Sequence, residues 1–251
     1  MRTKICILAA AVILLTVMCG NVSAVTVLVD YDGSTLPPSP NWQFVSNGTT
    51  SETSQHTVFS SGGTLRMIDA ANFRGNSLGY IHPLDFDPNQ RISVEFRARV
   101  FAGDVSPSSN PDQYDEQRGP FAVWLHDGLV RAEMAVGPDS VTAMGFDGSE
   151  TIDLLGYTID GTQWHTYGFD LTPSSIDWYV DGLLIGNGLR SDLVSNVTAT
   201  DERINMLISS ASADVELDYL LVTQMLVPLP PAVLLFGSAV GILGWIRCAK
   251  S

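Results

Sequence analysis

The chain reads as an all-β protein, an antiparallel sandwich or jelly roll, on three observations. Ile92, Val94, Phe96, Ala98 and Val100 alternate with Ser93, Glu95, Arg97 and Arg99, the period-2 pattern of a strand with one buried face. Asp127-Gly128 and Asp181-Gly182 are two-residue turn signals set between apolar runs. Between the two ends no stretch carries a convincing 3.6-residue period, while short β-type runs recur with turn residues between them.

In order along the chain, Met1 to Ala24 has the form of a secretory signal peptide. Arg2 and Lys4 form its basic start, Ile5 to Met18 its apolar run, and Val22-Ser23-Ala24 its small-residue cleavage pattern. Val25 to Asp30 opens the β-pattern. Leu36 to Trp42 and Asn47 to Gly63 read as loop, being rich in Pro, Ser, Thr, Asn and Gly. Short strands are expected at Thr64 to Asp69 and Leu78 to His82. The long strand Ile92 to Val100 precedes a polar loop, Phe101 to Gly119. Phe121 to Leu125 and Leu129 to Val136 make a hairpin around Asp127-Gly128. Weaker strands follow at Val141 to Met144 and Thr151 to Tyr157. Trp164 to Asp170, Ser175 to Val180, Leu183 to Ile185, Arg203 to Ser209 and Val215 to Thr223 complete about a dozen strands. The domain plan is therefore 1–24 signal peptide, 25–224 β-sandwich, and 225–251 a C-terminal segment with a transmembrane helix over 232–246.

Charge narrows the partners. The chain has 13 basic and 27 acidic residues, and Arg2, Lys4, Arg247 and Lys250 lie in the end segments. The middle keeps nine arginines, so its net charge is 9 − 27 = −18. Such a surface repels nucleic acid, suits solubility outside a cell and tolerates divalent cations. Cys6, Cys19 and Cys248 all fall in the end segments, so the middle offers no disulfide, thiol nucleophile or thiolate metal site.

The C-terminal segment carries the most specific pattern. Val227-Pro228-Leu229-Pro230-Pro231 leads into Ala232 to Ile246, an uncharged run in which Ser238 is the polar exception, and Arg247 and Lys250 follow. The run from Val227 to Ile246 would span about 30 Å as a helix, just enough for a bilayer core. The basic tip favours a cytoplasmic C-terminus. These residues resemble the VPLPA-like variant of the PEP-CTERM bacterial sorting signals, with Pro231 where alanine is commoner and a split basic tip. The resemblance implies export, transient membrane anchorage, recognition by an exosortase (a membrane protease-transpeptidase) and a host that makes exopolysaccharide. A plain membrane anchor is the alternative.

The middle also carries a resemblance. His165 to Gly182, a strand, a turn and an aromatic strand ending in Tyr179-Val180-Asp181-Gly182, is similar to the concanavalin A-like jelly roll of laminin-G-like modules and glycoside hydrolase family 16. Glu95, Arg97 and Arg99, then Trp124, then Asp218 and Tyr219 fit the same order. Retaining hydrolases need two carboxylates about 5–5.5 Å apart. The family places them as Glu-x-Asp-x-x-Glu on the strand after the tryptophan strand. Here that strand holds Glu133 alone, with Arg131 two residues away on the same face, which suits an ion pair better than acid–base work. The resemblance makes Asp218 of the closing strand a calcium ligand, with acids or carbonyls near Asp30 and Asp32 completing a 6–8-oxygen shell. Solvated or turn-capping acids are the simpler account. Trp124 and Tyr114 are the best-placed aromatics for stacking on sugar. Trp178 and Tyr179 alternate, so one of the two faces inward. The four histidines, His56, His82, His126 and His165, show no ligand spacing, and no serine–histidine–acid set is legible. The expectation is a non-catalytic glycan-binding or structural module near exopolysaccharide, with a glycan-active hydrolase of unrecognised site as the alternative.

Overall fold

The computed structural model describes residues 25–47, 53–70, 77–103, 120–146, 151–193, 202–208 and 212–225. The signal-peptide and sorting-signal expectations, Val227, Pro228, Leu229, Pro230 and Pro231 included, lie outside them, as does Tyr114. The strands are β1 (Val25–Tyr31), β2 (Gln43–Asn47), β3 (His56–Ser61), β4 (Thr64–Asp69), β5 (Ser77–Pro83) and β6 (Arg91–Ala102). They continue as β7 (Phe121–Asp127), β8 (Arg131–Val136), β9 (Ser140–Phe146), β10 (Thr151–Thr158) and β11 (His165–Leu171). The last four are β12 (Ser175–Val180), β13 (Leu183–Leu189), β14 (Glu202–Ile208) and β15 (Ala213–Met225), with a 3₁₀ turn at Arg190–Asp192.

These strands form two antiparallel sheets. The first runs β13-β12-β11-β6-β15-β4-β3, with β1 also paired to β15; the second runs β10-β9-β8-β7-β14-β5-β2. Consecutive strands pair as hairpins, such as β11-β12-β13 and β7-β8-β9-β10, while other neighbours are distant in sequence, such as β6 beside β15 and β7 beside β14, so each sheet also needs long crossovers. Thr26–Gln224 is a compact unit, and every residue of the main core, from Val29 to Val222, lies inside it. The unit therefore carries its own core.

Alternation decides what faces that core. On β6 the buried residues are Ile92, Val94, Phe96, Ala98 and Val100, the set the period selects. Phe96 stacks on Tyr167 at 5.3 Å between ring centroids and meets Phe121 edge-on at 5.9 Å, joining the two sheets. Of the Trp178 and Tyr179 pair, Trp178 is the inward residue and is fully buried.

The Asp181-Gly182 signal acts as its chemistry requires, whereas in the β7–β8 hairpin the Asp127 amide donates to the Val130 carbonyl at 3.2 Å and the two loop residues are Gly128 and Leu129, one place later than expected. Val180 pairs with Leu183 around Asp181 and Gly182, whose φ angles of 50° and 75° are both left-handed. That is the turn whose twist matches flanking strands. Asp181 also anchors the hairpin: its Oδ1 accepts from the Thr166 amide at 2.9 Å, and its Oδ2 lies 2.7 Å from His165 Nδ1. The stretch expected as loop from Asn47 to Gly63 contains β3, and β2 ends at Asn47. Both are edge strands with mostly polar, half-exposed sequences, which is why hydrophobic periodicity did not mark them.

Candidate functional site

The second sheet turns two different faces to its surroundings. Phe121, Val123 and Leu125 of β7, with Ala132, Met134 and Val136 of β8, point into the core. The alternate residues make the outer face: Ala122, Trp124 and His126 of β7, Arg131, Glu133 and Ala135 of β8, Thr142 of β9, and Asn205 of β14. Strand register sets Asn205 beside Trp124 and Trp124 beside Glu133, and the next row sets Arg203, His126 and Arg131 side by side.

This face is closed and polar. Glu133 is 1% exposed, and Arg131, His126, Thr142 and Asn205 are also buried. Arg131 Nη2 donates to Glu133 Oε2, and the same guanidinium lies 3.5 Å from the centre of the Trp124 ring. One face of Trp124 is thus covered by a cation, and its ring also packs on Ala122 and Ala135. Asn205 Oδ1 is a buried acceptor with no hydrogen-bond partner among the described residues. Among the described side chains of this face Glu133 is the lone carboxylate, and Arg131 occupies it, as the spacing of the two suggests. A two-carboxylate displacement cannot be written with these groups.

A second buried ion pair sits at the strand ends. Asp127 Oδ1 accepts from the Leu129 and Val130 amides at 2.9 and 2.7 Å, while Oδ2 accepts from Arg190 Nη2. Arg190 Nη1 donates to the carbonyls of Pro88 and Thr172, each at 3.2 Å. This cluster fastens the β7–β8 hairpin to the turns of the other sheet. Both Asp127 oxygens and both Arg190 terminal nitrogens are directed at protein, the arrangement of a structural pair.

The outer face of the first sheet is a ladder of charge pairs. Arg66 pairs with Asp214 at 2.6 Å and Glu216 at 3.6 Å; Arg99 pairs with Glu216 at 2.6 Å and Arg97 with Asp218 at 2.7 Å. Arg97 and Arg99 lie 5.2 and 4.7 Å from the Trp164 ring, and Arg99 and Arg66 lie 4.6 and 5.3 Å from that of Phe101. Glu216 and Asp218, a tempting pair by spacing, are thus each held by arginine.

The three acids considered for calcium do not make a cage. Asp218 is engaged by Arg97, and Asp32 Oδ1 accepts from the Ser34 amide and hydroxyl at 3.0 and 2.7 Å. Those hydrogen bonds, the hydroxyl first, hold the Asp32 carboxyl below its ordinary pKa. Asp30 is exposed at the end of β1. Among the described residues no group of three or more His, Cys, Asp or Glu side chains converges on a metal-sized space. This donor set is poor for a hard cation that takes 6–8 oxygens.

The structure brings together one set that the sequence hid. Ser46 of β2 reaches across to His56 of β3, Oγ to Nδ1 at 2.8 Å, and His56 Nε2 lies 3.6 Å from Asp69 Oδ2. His56 and Asp69 are direct cross-strand partners on the inward side of the first sheet, and both side chains are buried. No serine–histidine–acid arrangement is legible in the sequence, and the fold nevertheless brings these three side chains together. Ser46 and His56 are ten positions apart and belong to different sheets, so no sequence spacing announces the contact. The trio is a polar stitch between the sheet edges.

Comparison with known proteins shows the fold. No protein-family model matches the chain, and no curated protein matches it in sequence. Solved structures do match. The catalytic domain of an endo-1,3-β-glucanase (laminarinase) from Thermotoga petrophila RKU-1 superposes with a TM-score of 0.53 at 13% identity, over 80% of this chain and 98% of that one. The laminarinase from Flavobacterium sp. UMI-01 gives 0.51 at 19% identity, over 78% and 99%. A carbohydrate esterase from the Shiga toxin-encoding bacteriophage phi24B gives 0.52 at 16%, over 80% and 99%. The Thr26–Gln224 unit is a concanavalin A-like two-sheet β-sandwich resembling the family 16 laminarinases. At this identity the likeness concerns the fold, which hosts many chemistries.

Proposed function

We propose that this chain is an exported cell-envelope or extracellular-matrix protein whose sandwich is a non-catalytic module, binding glycan or serving structurally beside exopolysaccharide. The observation that supports it most is the state of Glu133. On a fold shared with glucanases, the strand expected to carry the catalytic pair carries a single buried carboxylate, tied to Arg131. The C-terminal resemblance supports the delivery half of the proposal: an exosortase processes the chain at Val227 to Pro231, and the helix over 232–246 holds it in the inner membrane until then.

The test incubates the Thr26–Gln224 unit with the host's exopolysaccharide and with laminarin, in calcium and then in chelator. Retention on polysaccharide without new reducing ends is the expected result. Reducing ends that appear with the wild type and vanish with Glu133→Gln would make the module a hydrolase. Retention lost on chelation and in Asp218→Asn would bring calcium into the site.

A further inference from the structure

We propose that the saccharide-binding surface of this module is the groove over Gly168 on the outer face of the first sheet, and that its occupant is a neutral hexopyranose chain. This rests on the glycan reading above and moves it to the sheet opposite Trp124 and Glu133.

The groove is a break in the charge ladder. Across β4, β15 and β6 the outer positions carry long, paired side chains, but on β11 the central outer position is Gly168. A Cβ there would stand 2.7 Å from the Val94 carbonyl oxygen, so the close approach of β6 demands glycine. The consequence is an open depression of about 280 Å³, floored by backbone. That volume falls just below the usual range for drug-sized ligands. It suits one sugar ring of a chain crossing the sheet.

The walls fit such a ring. Register places Tyr179 on one side of Gly168 and Glu95 on the other. Tyr179 is half-buried on the groove wall, and Glu95 is steadied by the Tyr219 hydroxyl at 2.7 Å. Arg91 and Ser93 close one end, with Arg91 ion-paired to Asp170. A pyranose has an apolar C–H face and a rim of hydroxyls. The Tyr179 ring offers apolar surface, and the fixed carboxylates and guanidinium offer acceptors and donors for hydroxyls. The charges are those of one arginine against two carboxylates, Asp170 and Glu95. An anionic sugar would meet net negative charge, which is why a neutral chain is assigned. The outer face of the second sheet, by contrast, has its polar groups buried and Trp124 covered by Arg131.

The experiment titrates laminarihexaose and cellohexaose, to 10 mM, into the ¹⁵N-labelled Thr26–Gln224 unit, with polygalacturonate as the anionic control. Supporting results are amide shifts centred on Gly168, Thr166 and Tyr179, weakened tenfold or more by Tyr179→Ala and absent with polygalacturonate. Tyr179→Ala must keep the dispersed spectrum of the folded wild type, and Ser93→Trp, which fills the groove from its rim, gives an independent loss of binding. Shifts centred instead on β7 and β8, untouched by either variant, would overturn this assignment and leave the glycan reading standing. No shift with either hexasaccharide would overturn it too, and the glycan reading would then be decided by the polysaccharide retention test.

Discussion

Replacing Glu133 by alanine separates an ion-pair residue from a catalytic one. Both members of the pair are buried, with side-chain exposures of 7% for Arg131 and 1% for Glu133, so solvent screens their attraction little. Removing one partner of a buried pair leaves an uncompensated charge and costs about 3–5 kcal/mol. Arg131 would keep its contact with the Trp124 ring at 3.5 Å, so the lower end is expected, about 3 kcal/mol. In a domain of this size each kcal/mol moves the melting temperature by about 2–4 °C, which makes the shift about 6–12 °C. The pair with both partners made apolar, Arg131→Met with Glu133→Leu, should recover most of that loss, because the charge and its desolvation leave together. Urea denaturation of the wild type, Glu133→Ala and the double variant measures all three. A Glu133→Ala loss below about 1 kcal/mol, or a stabilisation, would refute the reasoning. It would instead suit a carboxylate kept at a stability cost for function.

Asp127→Ala should cost about 3–5 kcal/mol in the same assay, since it strands Arg190 and frees the Leu129 and Val130 amides; Asp127→Asn, which keeps the turn, should cost clearly less. Gly33→Ala should destabilise by about 1–3 kcal/mol, because Gly33 has φ +69° and a Cβ there would stand 2.4 Å from the Asp218 carbonyl oxygen; thermal melts compare it with wild type. His82 is held below its ordinary pKa by burial, edge-on to Trp42 at 4.9 Å, so the folded state binds its proton less readily than the unfolded chain. Its full contribution is therefore present above about pH 6.5 and is lost as pH falls below that value. His82→Gln should flatten the acid side of the melting temperature against pH between about pH 7 and 5.5, and an unchanged slope would count against the assignment.

Much of the fold was written locally. The β6 alternation, the Asp181-Gly182 turn and the cysteine-free, acidic middle need only near neighbours to act, so an antiparallel sandwich could be read from them. The pairing of Arg131 with Glu133 was equally legible, because two residues apart on a strand is a same-face spacing whatever the sheet. What tertiary structure alone decided is who sits opposite whom across long crossovers. It put Arg97 on Asp218, which a one-dimensional reading had offered to calcium, and it buried Trp178 and left Tyr179 at the surface. It also joined Ser46 to His56 between sheets and opened the groove at Gly168, where β6 comes too close for any side chain. Those contacts depend on register and sheet order, which are set by the packing of the whole core and leave no periodic trace along the chain.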